Sequence, residues 1–172
     1  MIGALLGLLV WGATAVRAEE GDPPPPAVGA SLPQADLFDL QGQRVRLQDL
    51  REPVIVLSFF AFWCNTWIAE LPQLRELAAE QKRLGFRLLM VSVDGKWTDQ
   101  LQAVCGDDPP PFPVLVDRNS RLSHKLGLRR IPTVLVLNRE RHITAVFEAH
   151  PGNPKVLAAI RETGSTAGNG NR

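Results

Sequence analysis

The chain has 172 residues, enough for one domain with a full apolar core once its ends are set aside. Its 19 Lys and Arg nearly balance 18 Asp and Glu, so no basic stripe points to nucleic acid and no acidic tail to a solvating segment. The 2 cysteines are too few for a disulfide scaffold, and none of the 3 histidines (His124, His142, His150) has a cysteine or second histidine at ligand spacing; no metal and no cofactor is expected, and the histidines read as surface or turn residues.

Ile2 to Val16 is apolar and small, and Val16-Arg17-Ala18 resembles a small-x-small cleavage site. The run is short for a membrane span and has no Lys or Arg ahead of it. Residues 1–18 read as a signal peptide, cleaved by preference, or as an N-terminal anchor that would tether the protein to a membrane. The destination is extracytoplasmic, periplasmic or secreted, where disulfides persist. Residues 19–30, with prolines from Pro23 to Pro26, read as a polyproline-type linker.

Ala35 to Leu40 and Arg44 to Leu47 flank Gln41-Gly42-Gln43, a hairpin signal, and Gln48 to Arg51 reads as a turn. Val54 to Phe60 is a continuous apolar run rich in β-branched and aromatic residues, the pattern of a strand buried on both faces. The chain breaks at Trp63-Cys64-Asn65-Thr66 and turns helical. Trp67, Leu71, Leu74, Leu77 and Ala78 recur at helical spacing up to a stop at Leu84-Gly85. Cys64 thus sits where a buried strand ends and a long helix begins, facing free backbone N–H groups and the positive end of the helix dipole. That setting favours a thiolate, the nucleophilic form.

Phe86 to Val93 reads as a second buried strand, ended by Asp94-Gly95. A short helix over Thr98 to Cys105, a loop over Gly106 to Pro111, a strand over Pro113 to Asp117 and a helix over Ser120 to Leu126 follow. Val134 to Leu137 is a strand, Asn138 to Arg141 a polar turn and His142 to Phe147 its antiparallel return. Asn153 to Glu162 is a closing amphipathic helix, and residues 163–172 read as a disordered tail. The order predicts one α/β domain over residues 31–162. It is a three-layer α/β/α sandwich around a mixed sheet, with an N-terminal β-hairpin extension.

Several stretches together carry a resemblance: Phe59 through Cys64, Ala69-Glu70-Leu71-Pro72, Ser92-Val93-Asp94, Phe112-Pro113-Val114, and Gly127-Leu128 through Ile131-Pro132-Thr133. From about Val28 to Glu162 the chain resembles the thioredoxin-fold redoxins of the extracytoplasmic TlpA/ResA type, which overlaps the AhpC/TSA group. The resemblance implies a thioredoxin-like fold and thiol-disulfide oxidoreductase chemistry at Cys64. It sets Trp63, Asn65, Thr66, Trp67, Ile131 and Pro132 around the thiol, with Pro132 cis. It also implies a monomer whose partner is a protein thiol or disulfide client or a small-molecule thiol. Glu70 matches an acidic residue near the active site of ResA-like proteins, where it would tune the thiol or relay a proton; as a plain early-helix glutamate it would only favour the dipole. Ser58 stands where ordinary thioredoxins place a buried aspartate.

The chain departs from the family at one place. The motif Trp-Cys-x-x-Cys is here Trp63-Cys64-Asn65-Thr66-Trp67, so the resolving cysteine is a tryptophan. Three readings of Cys64 follow. It is a reactive monothiol that forms mixed disulfides or is oxidised and then reduced by another molecule. It pairs with Cys105 as a resolving cysteine, in peroxiredoxin style, although Leu57 and Ala61 stand where the peroxidase signature wants Pro and Thr or Ser. Or the protein is a non-catalytic binder. Cys105 alone also reads as a small buried hydrophobe, and Trp67 as either a core cap or a cover over the sulfur.

Overall fold

The computed structural model describes residues 22–94 and 110–168. Its strands are β1 (Leu37–Phe38), β2 (Arg44–Val45), β3 (Val54–Phe60), β4 (Phe86–Ser92), β5 (Val114–Val116), β6 (Thr133–Leu137) and β7 (Ile143–Glu148). The helices are α1 (Thr66–Ala79), α2 (Gln81–Leu84), α3 (Arg121–Lys125) and α4 (Asn153–Gly168). The strands form one sheet in the order β2-β1-β5-β4-β3-β6-β7.

Every residue of β3 is buried, because the strand is covered on both faces and paired on both edges. On one edge it runs parallel to β4, Phe60 opposite Ser92; on the other it runs antiparallel to β6, Phe59 opposite Thr133. Alternation then divides the core. Val54, Val56 and Phe60 point to one face, with α1 and α4 through Trp67, Leu71, Leu74, Val156 and Ile160. Ile55, Leu57 and Phe59 point to the other, with Leu122 and Leu126 of the α3 region and Leu32 and Leu47 of the N-terminal part. These are the three predicted layers. The hairpin β1–β2 extends the sheet through β5, with Phe38 opposite Val116. The expected helix over Thr98 to Cys105, and with it Cys105, lies outside the described residues, as does the segment read as a signal or anchor.

The sequence expectations need correction at three places. The closing helix does not stop at Glu162 but runs to Gly168. Thr163 is 3% exposed, and its hydroxyl meets Thr144 at 2.7 Å and bonds the Ala159 carbonyl. Ser165 and Thr166 also bond back to carbonyls one turn earlier, so hydroxyls that look disordering in composition are satisfied within the helix. The proline segment, read as a free linker, lies against the domain. Gly29 N–H bonds the Ile143 carbonyl at 2.7 Å, and Leu32 N–H bonds Arg141 at 2.8 Å. The third correction is the helix read as continuous to Leu84, which breaks at Glu80 before α2 and the left-handed Gly85.

The polar turn read over Asn138 to Arg141 is present before β7, with one buried member. Arg141 within it is buried, and its guanidinium donates to the carbonyls of Leu47 (2.9 Å), Leu50, Glu52 (3.4 Å), Asn138 (3.1 Å) and Arg139 (2.9 Å). One side chain thereby closes the β2–β3 connection onto the β6–β7 turn.

Gly127, read as a helix stop, has a second duty. Its φ is +61°, and a Cβ there would stand 2.6 Å from the Pro23 carbonyl oxygen. Gly127→Ala is therefore strained twice, and the expected outcome is release of the Pro23–Pro24 segment with a loss of about 1–2 kcal/mol. Urea unfolding and the rate of proteolytic nicking ahead of residue 28 check this. An unchanged nicking rate would refute the docked arrangement.

Candidate active site

The thiol end of the sheet is built by β3, β4 and β6. Cys64 follows the carboxyl end of β3, and Pro132 precedes β6. Because those strands are antiparallel neighbours, the end of one lies beside the start of the other. The Ile131-Pro132 peptide is cis, Pro132 is buried, and its carbonyl accepts the Ala149 N–H at 2.8 Å. The strand register thus carries Ile131 and Pro132 to the same sheet end as the thiol loop.

The loop from Ala61 to Asn65 is held from its neighbour strand. Val93 N–H bonds the Phe60 carbonyl at 2.9 Å, and Phe62 N–H donates to Asp94 Oδ2 at 2.8 Å. The other Asp94 oxygen accepts the Ser92 hydroxyl. Asp94 was legible in the sequence only as the end of a strand; its role as the anchor of the thiol loop was missed. A carboxylate directly after a fully buried strand was the available signal, since such a group must find donors at the sheet end.

Cys64 itself is half-buried and, among the described residues, a free thiol. Its Sγ lies 2.9 Å from the Thr66 hydroxyl, and its N–H bonds the Ala61 carbonyl at 3.1 Å. Thr66 opens α1 and Asn65 precedes it without capping the helix through its side chain. Trp63 is 72% exposed and Trp67 2% exposed. Trp67 is core, and Trp63 stands in solvent. Trp67 packs with Phe60 and Phe62 at centroid distances of 5.3 and 5.7 Å, and those two lie edge to face at 5.1 Å. Each such pair adds about 0.5–1.5 kcal/mol beyond its buried area. The Trp67 indole N–H is buried with no partner among the described residues, so this packing is bought against an unmade hydrogen bond.

Glu70 lies one turn after Thr66, half-buried. Its Oε1 accepts the His150 backbone N–H at 3.4 Å. Burial raises its carboxyl above the ordinary 4.5, and the His150 backbone bond opposes part of that. His150, read as a surface or turn residue, stands in the turn before α4 but is half-buried. Its Nδ1 accepts the Gly152 N–H at 3.1 Å, so the neutral ring carries its proton on a buried, unpartnered Nε2, and burial lowers its pKa. Among the described residues no three His, Cys, Asp or Glu converge to hold a metal ion.

The AhpC/TSA family model matches residues 28–146, more than half the chain. The chain belongs to the AhpC/TSA family. Its relatives there are ResA-like redoxins. It is 27% identical over 121 residues to the thiol-disulfide oxidoreductase ResA of Geobacillus thermodenitrificans, covering 70% of this chain and 69% of ResA. It is 30% identical over 125 residues to ResA of Oceanobacillus iheyensis, covering 70% and 65%. The solved exposed lipoprotein thioredoxin Etrx1 of Streptococcus pneumoniae superposes with a TM-score of 0.63 at 27% identity, over 76% of this chain and 99% of that one. StoA of Bacillus subtilis, at 20% identity, shares the fold with a TM-score of 0.60 over 78% and 98%. The thioredoxin-like fold and the redoxin family expected from the sequence are thus both found. In the Trp-Cys-x-x-Cys motif that the resemblance implies, Trp67 stands at the place of the second cysteine.

A pH test follows from Glu70. Its folded pKa is raised, so between 4.5 and that raised value the native state holds a proton the unfolded chain has lost. Stability from this group is full below 4.5 and declines as pH rises through the window. Glu70→Gln is expected to melt higher than wild type near pH 7, the gap closing by about pH 4. Parallel melting curves for the two proteins across that range would remove the effect.

Proposed function

We propose that the protein is a thioredoxin-like thiol-disulfide exchange protein that works through one sulfur, Cys64. The supporting observation is the pairing of a half-buried free thiol with a buried indole at the place of the resolving cysteine. The Cys64 thiolate attacks a client disulfide. A Cys64–client disulfide forms, and the client's other sulfur leaves as thiolate. A thiol from a second molecule then attacks that mixed disulfide, and Cys64 leaves as thiolate. Each step exchanges one disulfide for another, so no further oxidant or reductant enters.

The residues divide the work. The Thr66 hydroxyl is placed to donate to the sulfur when it carries charge. Asp94 fixes the loop that presents the sulfur. Pro132 and Ile131 form the neighbouring wall against which an extended client segment lies. Glu70, half-buried on α1 one turn after Thr66, is the group on this helix placed to hold a proton. An exported setting, with a tether or cleaved signal ahead of Asp22, is consistent with the apolar amino-terminal stretch and with an exposed lipoprotein among the relatives.

The single-sulfur reading sets what happens to a trapped adduct. In wild type, a Cys64–glutathione disulfide is expected to persist until an outside thiol is added, and, in a Cys105→Ser background, Cys64→Ser is expected to form none. Trp67→Cys restores the family spacing. It should release glutathione by itself, at a cost of about 3–5 kcal/mol for the emptied aromatic site. Intact-mass measurement under non-reducing conditions follows both. An adduct that wild type clears by itself, with an internal Cys64–Cys105 bridge in its place, would overturn the monothiol reading. Full partner capture by Cys64→Ser would instead leave a binding protein.

A further inference from the structure

A charged pocket lies at the thiol's end of the sheet, on its far edge. β3, β4 and β5 are parallel, so Cys64, Asp94 and Asp117 all follow strand ends on one side of the molecule. β1 is antiparallel to β5 and β2 antiparallel to β1, which brings Asp36, ahead of β1, and Arg46, after β2, to that same side. The loops there are linked. Ser120 Oγ donates to the Val93 carbonyl at 2.6 Å, and the adjoining Asp94 holds the Cys64 loop.

The pocket is about 300 Å³, between the start of β1, the end of β2 and α3, and Arg46, Arg121 and Lys125 line it against the single carboxylate of Asp36. That carboxylate is already shared, 3.5 Å from Arg44 and 3.9 Å from Arg46. Asp39, the next carboxylate along the hairpin, is turned into the loop, accepting the N–H groups of Gln41 (3.0 Å) and Gln43 (2.7 Å). Lys125 Nζ donates to a neutral group, the Gln34 carbonyl, at 2.9 Å. Arg121 is exposed, with no acidic group in ion-pair reach among the described residues. In a chain of net charge +1 this is a local cationic excess inside a hollow.

From β3 to β1 and β2 the sheet spans three to four strand spacings, about 15–20 Å. We propose that the pocket seats an acidic segment of the protein client whose disulfide meets Cys64, with the carboxylates about five to six extended residues from the reacting cysteine. This deepens the exchange function proposed above and rests on it for the covalent step alone. The pocket sets client choice and capture rate through charge complementarity.

The test uses two peptides, each carrying a cysteine as a glutathione disulfide. One has three Glu residues beginning about five positions away, the other Gln at those positions. By fluorescence anisotropy the Cys64→Ser protein is expected to bind the Glu peptide about tenfold more tightly than the Gln peptide at low salt. The preference should vanish at about 0.5 M salt and in R121Q/K125Q, with R46Q as a second variant. Wild type should form its Cys64 adduct faster with the Glu peptide by a similar factor. Equal binding of the two peptides, or a preference untouched by R121Q/K125Q and R46Q, overturns the proposal. So does pocket-dependent binding to phosphatidylglycerol vesicles with no peptide preference, which assigns the site to a membrane surface. If the Glu peptide binds the pocket but neither peptide is captured by wild type, the docking site stands and the Cys64 reading falls.

Discussion

β3 is hydrogen-bonded to a parallel neighbour on one edge and an antiparallel one on the other, and the thiol end of the molecule depends on that arrangement. The parallel partner ends where β3 ends, so Asp94 arrives level with Phe62 and can hold its N–H. The antiparallel partner begins there, so the cis-proline loop arrives on the other side. A one-residue slip in either register would turn β3's core residues to the wrong face and misplace both loops together. The burial that fixes the strand is thus also what positions a small, half-buried sulfur.

Much of this was legible in the chain because burial writes plain patterns. Seven consecutive buried residues in β3 left an unbroken apolar run, and α1 left its heptad-like spacing. What was not legible involves groups whose partners are remote in sequence. Arg141 looks like a turn residue, yet its partners Leu47, Leu50 and Glu52 lie some ninety positions earlier. His150 meets Glu70 across eighty. Gly127 reads locally as a helix stop, while its lack of a side chain also serves a backbone that arrives from Pro23 and Pro24. The last turns of α4 were hidden for another reason. Threonine and serine weaken helices in composition, but here their hydroxyls answer carbonyls of the same helix, and Thr163 reaches Thr144 of β7 besides.

Trp67 joins packing to chemistry. The same side chain that completes an aromatic trio with Phe60 and Phe62 removes the second sulfur from its family position. That ring is buried in the first turn of α1, while Trp63, just ahead of the thiol, is exposed. Near-neutral overall charge conceals a second asymmetry. Opposite charges balance across the whole chain but not within the hollow beside β1 and β2, where Asp36 is outnumbered.

The docked proline segment has a geometric consequence. Asp22 lies 4.0 Å from Arg129, one step ahead of the Arg130-Ile131-Pro132 loop, so the polypeptide enters the folded body near the cis-proline loop, at the sheet end that also carries Cys64. Anything fused, immobilised or embedded upstream of that point is delivered to the reactive pole and not to its opposite. Bulk attached there would crowd that end of the sheet from the cis-proline side.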